Sequence, residues 1–144
     1  MGELKPRINF VTLGVRDMLA MRAFYERLGL VASSASNPNV TFFNVNGIVL
    51  GLYGYDALAE DAAIQPDSMP IFRGVSLAWN GRSEEEVDQI MAHAKNAGAT
   101  ITKPAQKVFW GGHSGYFSDP EGNLWEVAFN PFAPFSEHGQ IVMP

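Results

Sequence analysis

The stretch His113-Ser114-Gly115-Tyr116-Phe117-Ser118-Asp119-Pro120-Glu121-Gly122-Asn123-Leu124-Trp125-Glu126-Val127-Ala128-Phe129-Asn130-Pro131 decides how this chain folds. It reads as a β-hairpin whose turn chemistry can be named. Asp119-Pro120-Glu121-Gly122 suits a type I turn, with Asp first, Pro second and Gly fourth. Beyond the turn the strand alternates. Trp125, Val127 and Phe129 share one face; Leu124, Glu126 and Ala128 share the other. A lone carboxylate, Glu126, thus stands mid-strand among small and apolar neighbours.

Similar signals run upstream. Residues 8–15 read as a strand. Asp17 can cap a helix to about Leu28, with Met21, Phe24 or Tyr25, and Leu28 at helical spacing and Gly29 as the stop. Residues 30–34 make a short strand, ended by Asn37-Pro38. Val40–Val45 pairs with Ile48–Tyr53 across Asn46-Gly47, a strong hairpin signal. Residues 54–70 form an acidic loop with a helical turn from Asp56, long enough to be a lid. Phe72–Trp79 reads as a strand. Ser83-Glu84-Glu85-Glu86 is a capping box, and Val87, Ile90, Met91 and Ala94 form the buried stripe of the helix it opens. Gly98 ends that helix, Thr100–Lys103 is a short strand, and Trp110-Gly111-Gly112 leads into the opening hairpin.

These elements repeat. Val11-Thr12-Leu13-Gly14-Val15 parallels Val75-Ser76-Leu77-Ala78-Trp79 at an offset of 64 residues. Each is followed by a capped helix, a glycine stop, a short strand and a hairpin. One such unit cannot bury both faces of its sheet, so the halves should pair. The expected fold is α+β: two paired βαβββ modules forming a curved, mostly antiparallel sheet around a concave cavity. A single domain would span 1–144, with module one at about 7–54, a linker or lid at 55–70, module two at about 71–130 and an extension at 131–144.

Composition narrows the function. The 144 residues suffice for a core without staples. A hydrophobic content of 47% indicates a folded globule. The net charge of −5 argues against nucleic acid or an anionic membrane as partner. With no cysteine, disulfides, zinc thiolates and a Cys nucleophile are excluded. Met1–Arg7 is polar and carries no secretory h-region, and no apolar run approaches membrane-spanning length. The default expectation is a cytoplasmic protein.

Two motifs give the chain a family resemblance. Phe117-x-Asp119-Pro120-x-Gly122-Asn123-x-x-Glu126 is one. The other is Leu13-x-Val15-x-Asp17 leading to Phe24-Tyr25-x-x-Leu28-Gly29. Over roughly residues 8–130 the chain resembles the vicinal oxygen chelate superfamily, which includes glyoxalase I, extradiol dioxygenases and bleomycin resistance proteins. That resemblance implies the fold, but one scaffold hosts lyases, isomerases, dioxygenases and pure binders. It also implies four metal-ligand positions, which here carry Phe10, Gly51 (approximately), Gly74 and Glu126. Only Glu126 can ligate, and one carboxylate does not hold a divalent transition metal. No cofactor is therefore expected. Of the three histidines, His93 lies on the second helix and His138 in the tail, and only His113 is placed to approach the cavity.

Strand alternation assigns the concave face: Phe10 and Thr12; Val49, Gly51 and Tyr53; Phe72, Gly74 and Ser76; Leu124, Glu126 and Ala128. Phe10 and Phe72 offer apolar walls, Thr12, Tyr53 and Ser76 hydroxyls, and the two glycines either open volume or are packing sites filled by neighbours. Trp110, His113 and Tyr116 cluster at the mouth to stack on a ligand, or are a core aromatic group and a surface histidine. Arg73 stands beside the cavity strand, placed to neutralise a ligand carboxylate or to face solvent. Glu126 is either a general base or a remnant of a metal-binding ancestor. The expected function is binding of a small organic molecule without the standard metal. The alternative is a glyoxalase-type lyase or isomerase using Glu126 as base. A homodimer is implied by the resemblance and by sheet edges that need cover.

Overall fold

A computed structural model describes residues 4–144; of the polar Met1–Arg7 stretch, residues 1–3 lie outside the described region. The first half runs β1 (Phe10–Val15), α1 (Met18–Leu28), β2 (Val40–Val45), β3 (Ile48–Gly54) and α2 (Tyr55–Asp61). The second runs β4 (Ser76–Asn80), α3 (Glu84–Ala97), β5 (Thr100–Lys107), β6 (His113–Ser118) and β7 (Leu124–Phe129).

The strands form two sheets, ordered β1-β3-β2 and β4-β7-β6-β5. In each, the first strand lies parallel beside the last strand of its half, and the hairpins are antiparallel. The repeat read from sequence is thus a repeat of topology, and the fold is α+β as expected. The sheets are mixed, and mostly antiparallel as expected, with the β1–β3 and β4–β7 pairs parallel. The short strand expected at 30–34 shrinks to one bridge, Ala32 to Phe43. Residues 72–75 precede β4 instead of belonging to it, and Gly74 explains why. Its φ of 72° is left-handed, outside the extended region a strand needs. Conversely, β5 extends to Lys107, past the expected end at Lys103, with register shifts against β6.

Local chemistry accounts for the elements. The Asp17 carboxylate accepts from Ala20 N and the Ser83 hydroxyl from Glu86 N, each satisfying an otherwise unpaired amide at a helix start. Asn46 and Gly47 both have positive φ, as a two-residue type I′ hairpin requires, and they join Val45 to its partner Ile48. At the second hairpin, Gly122 N donates to Asp119 O and Asp119 N to Asn123 O, closing the predicted turn.

One core serves both halves. Met21, Phe24 and Tyr25 of α1 and Val87, Met91 and Ala94 of α3 pack with Phe43, Leu50, Leu52, Phe117 and Val127. Cross-links of polar atoms fix how the halves meet. The Tyr25 hydroxyl donates to Asp119 Oδ2 at 2.7 Å and accepts from Trp125 Nε1 at 3.1 Å. Asn123 donates to the same Asp119 oxygen, while Asp119 Oδ1 accepts from the Glu121 and Asn123 amides. Glu121 accepts from the Arg16 and Asp17 amides just before α1. The Asp119-Pro120-Glu121-Gly122 turn is therefore a hairpin turn and also the joint between the halves. The sheet faces opposite this core are left open, and they hold the candidate site.

Candidate functional site

A cavity of about 730 Å³ lies where the open face of β1 meets the start of β7. Its roof is α2 with the segment that follows. Tyr55, Leu58, Ala59 and Ala62 all line it, at spacings of three, four and seven that give α2 a single inward stripe. Gly14 lets α2 sit close to the sheet: a Cβ there would lie 3.0 Å from the Tyr55 ring and 3.2 Å from its Cα. Ile64, Met69, Phe72 and Val75 continue the apolar wall, and Leu77 and Leu124 contribute from the second sheet. A few polar groups break this surface, among them Thr12, Ser118, Asn123, Arg73 and Asp67.

Polar bonds tether the roof. The Tyr55 hydroxyl donates to Asp67 Oδ1 at 2.8 Å. Arg16 stacks on the Tyr55 ring at 4.5 Å and approaches Asp56 at 3.4 Å. The bond to Asp67 is the main cause that raises the Tyr55 phenol above its ordinary range, with smaller opposing effects from the cations Arg16 and Arg73. At the base, Arg73 donates through Nη1 to Asn123 Oδ1 (2.9 Å) and through Nη2 to Glu121 O (2.7 Å). Its Nε is buried and has no hydrogen-bond partner.

A second, shallower cavity of about 530 Å³ adjoins the first. Phe72, Val75, Thr102 and Leu124 line both; Gly74, Ser76, Lys103 and Tyr116 line only the second. Tyr116 donates to Glu126 Oε2 at 3.1 Å across the β6–β7 pair. Burial first, then the Glu126 bond and charge, raise the Tyr116 phenol above its ordinary range. Glu126 itself is half-buried and lines neither cavity.

The residues expected at one site are thus divided. Thr12 and Phe72 face the large cavity. Phe72, Gly74, Ser76 and Tyr116 face the shallow one, with Glu126 one hydrogen bond away. Phe10 is 56% exposed and packs edge-on against Phe42 with ring centroids 6.1 Å apart, outside both cavities. Tyr53 is half-buried on the same sheet face, also outside them. Gly51 opens no volume, because Thr12 Oγ1 and the Phe42 ring lie 3.4 and 3.8 Å from where its Cβ would stand. Gly74 does face open space, as a turn residue and not as a strand position.

The cluster of Trp110, His113 and Tyr116 does not form. His113 and Tyr116 are three apart on one strand, which puts them on opposite faces. His113 turns to the helix side, where Nε2 lies 2.8 Å from Asp88 Oδ1 and Nδ1 is 4.0 Å from Glu84. Trp110 folds over Gly112, outside both cavities. Sequence reading missed the roof residues Leu58, Ala59 and Ala62. Their signal was present: with Tyr55 they recur at helical period inside a stretch read as loop.

The metal positions implied by the resemblance do not fit a metal. Phe10, Gly51 and Gly74 have no ligating side chain, and Glu126 is bonded by Tyr116. Among the described residues no group of three or more His, Cys, Asp or Glu is placed to hold an ion.

A sequence model described as the Glyoxalase/Bleomycin resistance protein/Dioxygenase superfamily matches residues 7–127. The chain belongs to that superfamily. A glyoxalase-related enzyme from Fulvimarina pelagi is 35% identical, with a TM-score of 0.86 over 95% of this chain and 97% of its own. A glyoxalase/bleomycin resistance protein/dioxygenase family enzyme from Burkholderia phytofirmans PsJN shares the fold at 24% identity, TM-score 0.75, over 84% and 96% of the two chains. So does a lactoylglutathione lyase from Agrobacterium tumefaciens, at 22% identity and TM-score 0.68, over 88% and 96%. No curated protein matches the sequence. Superfamily membership explains the repeated module and the hairpin motif, and it leaves the chemistry to this chain's own residues.

Proposed function

We propose that this superfamily member binds a small organic molecule in the 730 Å³ cavity beneath α2, without a metal centre. One observation carries the reading: a concave, mostly apolar site of a size to hold a small organic molecule, with few polar groups in its lining. The donor-poor set at Phe10, Gly51 and Gly74 supports the metal-free part. No helix among the described residues is long and apolar enough to cross a membrane, so the apolar lining is not part of a helical span.

The test is retention of a neutral apolar dye such as Nile red. Wild type should bind it saturably at about one dye per cavity, and Ala59→Trp, which fills the roof stripe, should weaken binding about tenfold or more at unchanged melting temperature. Equal dye binding by both proteins would sink the cavity reading.

A second reading is supported by the Tyr116–Glu126 bond. Here Glu126 is a general base of a lyase or isomerase acting in the shallow cavity, with Tyr116 as the group nearest a substrate. Its check is Glu126→Gln in any turnover assay: loss of rate supports it and an unchanged rate ends it.

The protein also pairs, on this proposal, as a homodimer through its open sheet faces. Phe10 on β1 and Phe72 and Val75 just before β4 are 56%, 69% and 59% exposed, which is unfavourable for a lone chain in water. Sedimentation at micromolar concentration should give a dimer, and Phe10→Asp should shift it toward monomer; a wild-type monomer would contradict this part.

A further inference from the structure

The base of the large cavity holds a cation without a counter-charge. Arg73 is half-buried on the cavity wall, and among the described residues no carboxylate lies within ion-pair distance of it. Glu121 offers Arg73 only its backbone carbonyl, because its carboxylate is committed to the Arg16 and Asp17 amides. The two bonds that Arg73 makes use two of the five N–H groups a guanidinium carries, and both go to neutral acceptors. Nε is buried with no acceptor at all. Among the described residues Nη1 and Nη2 each have one further N–H without a protein acceptor, while the buried Nε is out of a ligand's reach, so this partly desolvated guanidinium gains from one anionic partner at its Nη groups.

The surroundings define what that partner would be. Asn123 is bonded to Arg73, Thr12 and Ser118 line the same cavity as neutral groups able to bond an oxyanion, and most of the remaining wall is apolar. The cavity's carboxylate, Asp67, is held at the roof by the Tyr55 hydroxyl. The lining thus carries one cation, Arg73, with no carboxylate paired to it, and one carboxylate, Asp67, already bonded within the protein.

We infer that the cavity selects an organic monoacid, with its carboxylate at Arg73 and its apolar body under α2. This rests on the cavity reading above and adds the ligand's charge and orientation to it. A cationic or neutral amphiphile of equal length would lack the bonds at the base. A charge-assisted guanidinium–carboxylate pair in a partly desolvated site should give about tenfold tighter binding or more.

Calorimetry of the intact protein with octanoate, octan-1-ol and octyltrimethylammonium reads this directly. Octanoate should bind about tenfold more tightly than octan-1-ol, and the ammonium compound most weakly. Arg73→Gln should remove the preference for octanoate over octan-1-ol, and Arg73→Lys should restore part of it. The wild-type comparison keeps the inference falsifiable if the variants do not fold. Equal binding of octanoate and octan-1-ol, or tighter binding of the cation, overturns the inference while Nile red binding leaves the cavity reading intact. If neither Nile red nor any of the three binds, both are overturned.

Discussion

At the scale of single residues, Tyr25 carries more than its share of the fold. It is fully buried, and its hydroxyl links Asp119 and Trp125 of the second half to α1 of the first. Tyr25→Phe keeps the ring packing but removes a donor from a buried carboxylate and an acceptor from the Trp125 indole. The expected loss is roughly 1–3 kcal/mol, measured by urea unfolding. Burial above all, with the charge and hydrogen bond of Asp119 adding to it, raises the Tyr25 phenol well above 10.0. The folded state therefore holds its proton where the unfolded chain releases it. That contribution to stability is fully present below about pH 10 and is lost as pH rises toward the raised folded value. Unfolding curves at pH 9 and 11 should show a drop for wild type that is smaller in Tyr25→Phe; equal drops would contradict this account. Glu126, which stood out in the sequence, proves to be tied to Tyr116 and set apart from the large cavity.

At the scale of elements, legibility followed how local the determining interaction is. The Asn46-Gly47 hairpin, the Ser83 cap and the Asp119-Pro120-Glu121-Gly122 turn are fixed by neighbours in sequence and form as read, except that the Glu86 carboxylate closes the cap on the Arg82 amide and not on that of Ser83. The start of β4 was misread because alternation extends through Phe72, while the left-handed conformation of Gly74 breaks the strand there. The joint role of Glu121 was not readable, since its partners at Arg16 and Asp17 are distant in sequence. Helix α2 was legible in principle, but a seven-residue amphipathic stripe is short and its partner surface is assembled only in three dimensions. Its seating on Gly14 makes a prediction. Gly14→Val suits a strand but drives side chain into Tyr55, so amide exchange over residues 55–61 should speed up while β2 and β3 stay protected. Unchanged exchange in α2 would show that the close contact does not hold the roof.

At the scale of the whole molecule, two equivalent modules share one core and leave their opposite faces open. The superfamily motif identifies that scaffold through a turn whose side chains join the modules, so the most recognisable sequence reports on assembly of the fold and not on chemistry. On the proposed reading the binding site is built by residues 55–75, between the two modules, which supply the roof, the Phe72 partition and Arg73 of the cavity. The most direct test is a methyl NMR titration with octan-1-ol. The account predicts saturable, concerted shifts of the Leu58, Ile64, Met69 and Leu124 methyl groups, with Val31 and Val142 unmoved. Saturable shifts elsewhere with those four methyls silent, or no saturable shift at all, would contradict it.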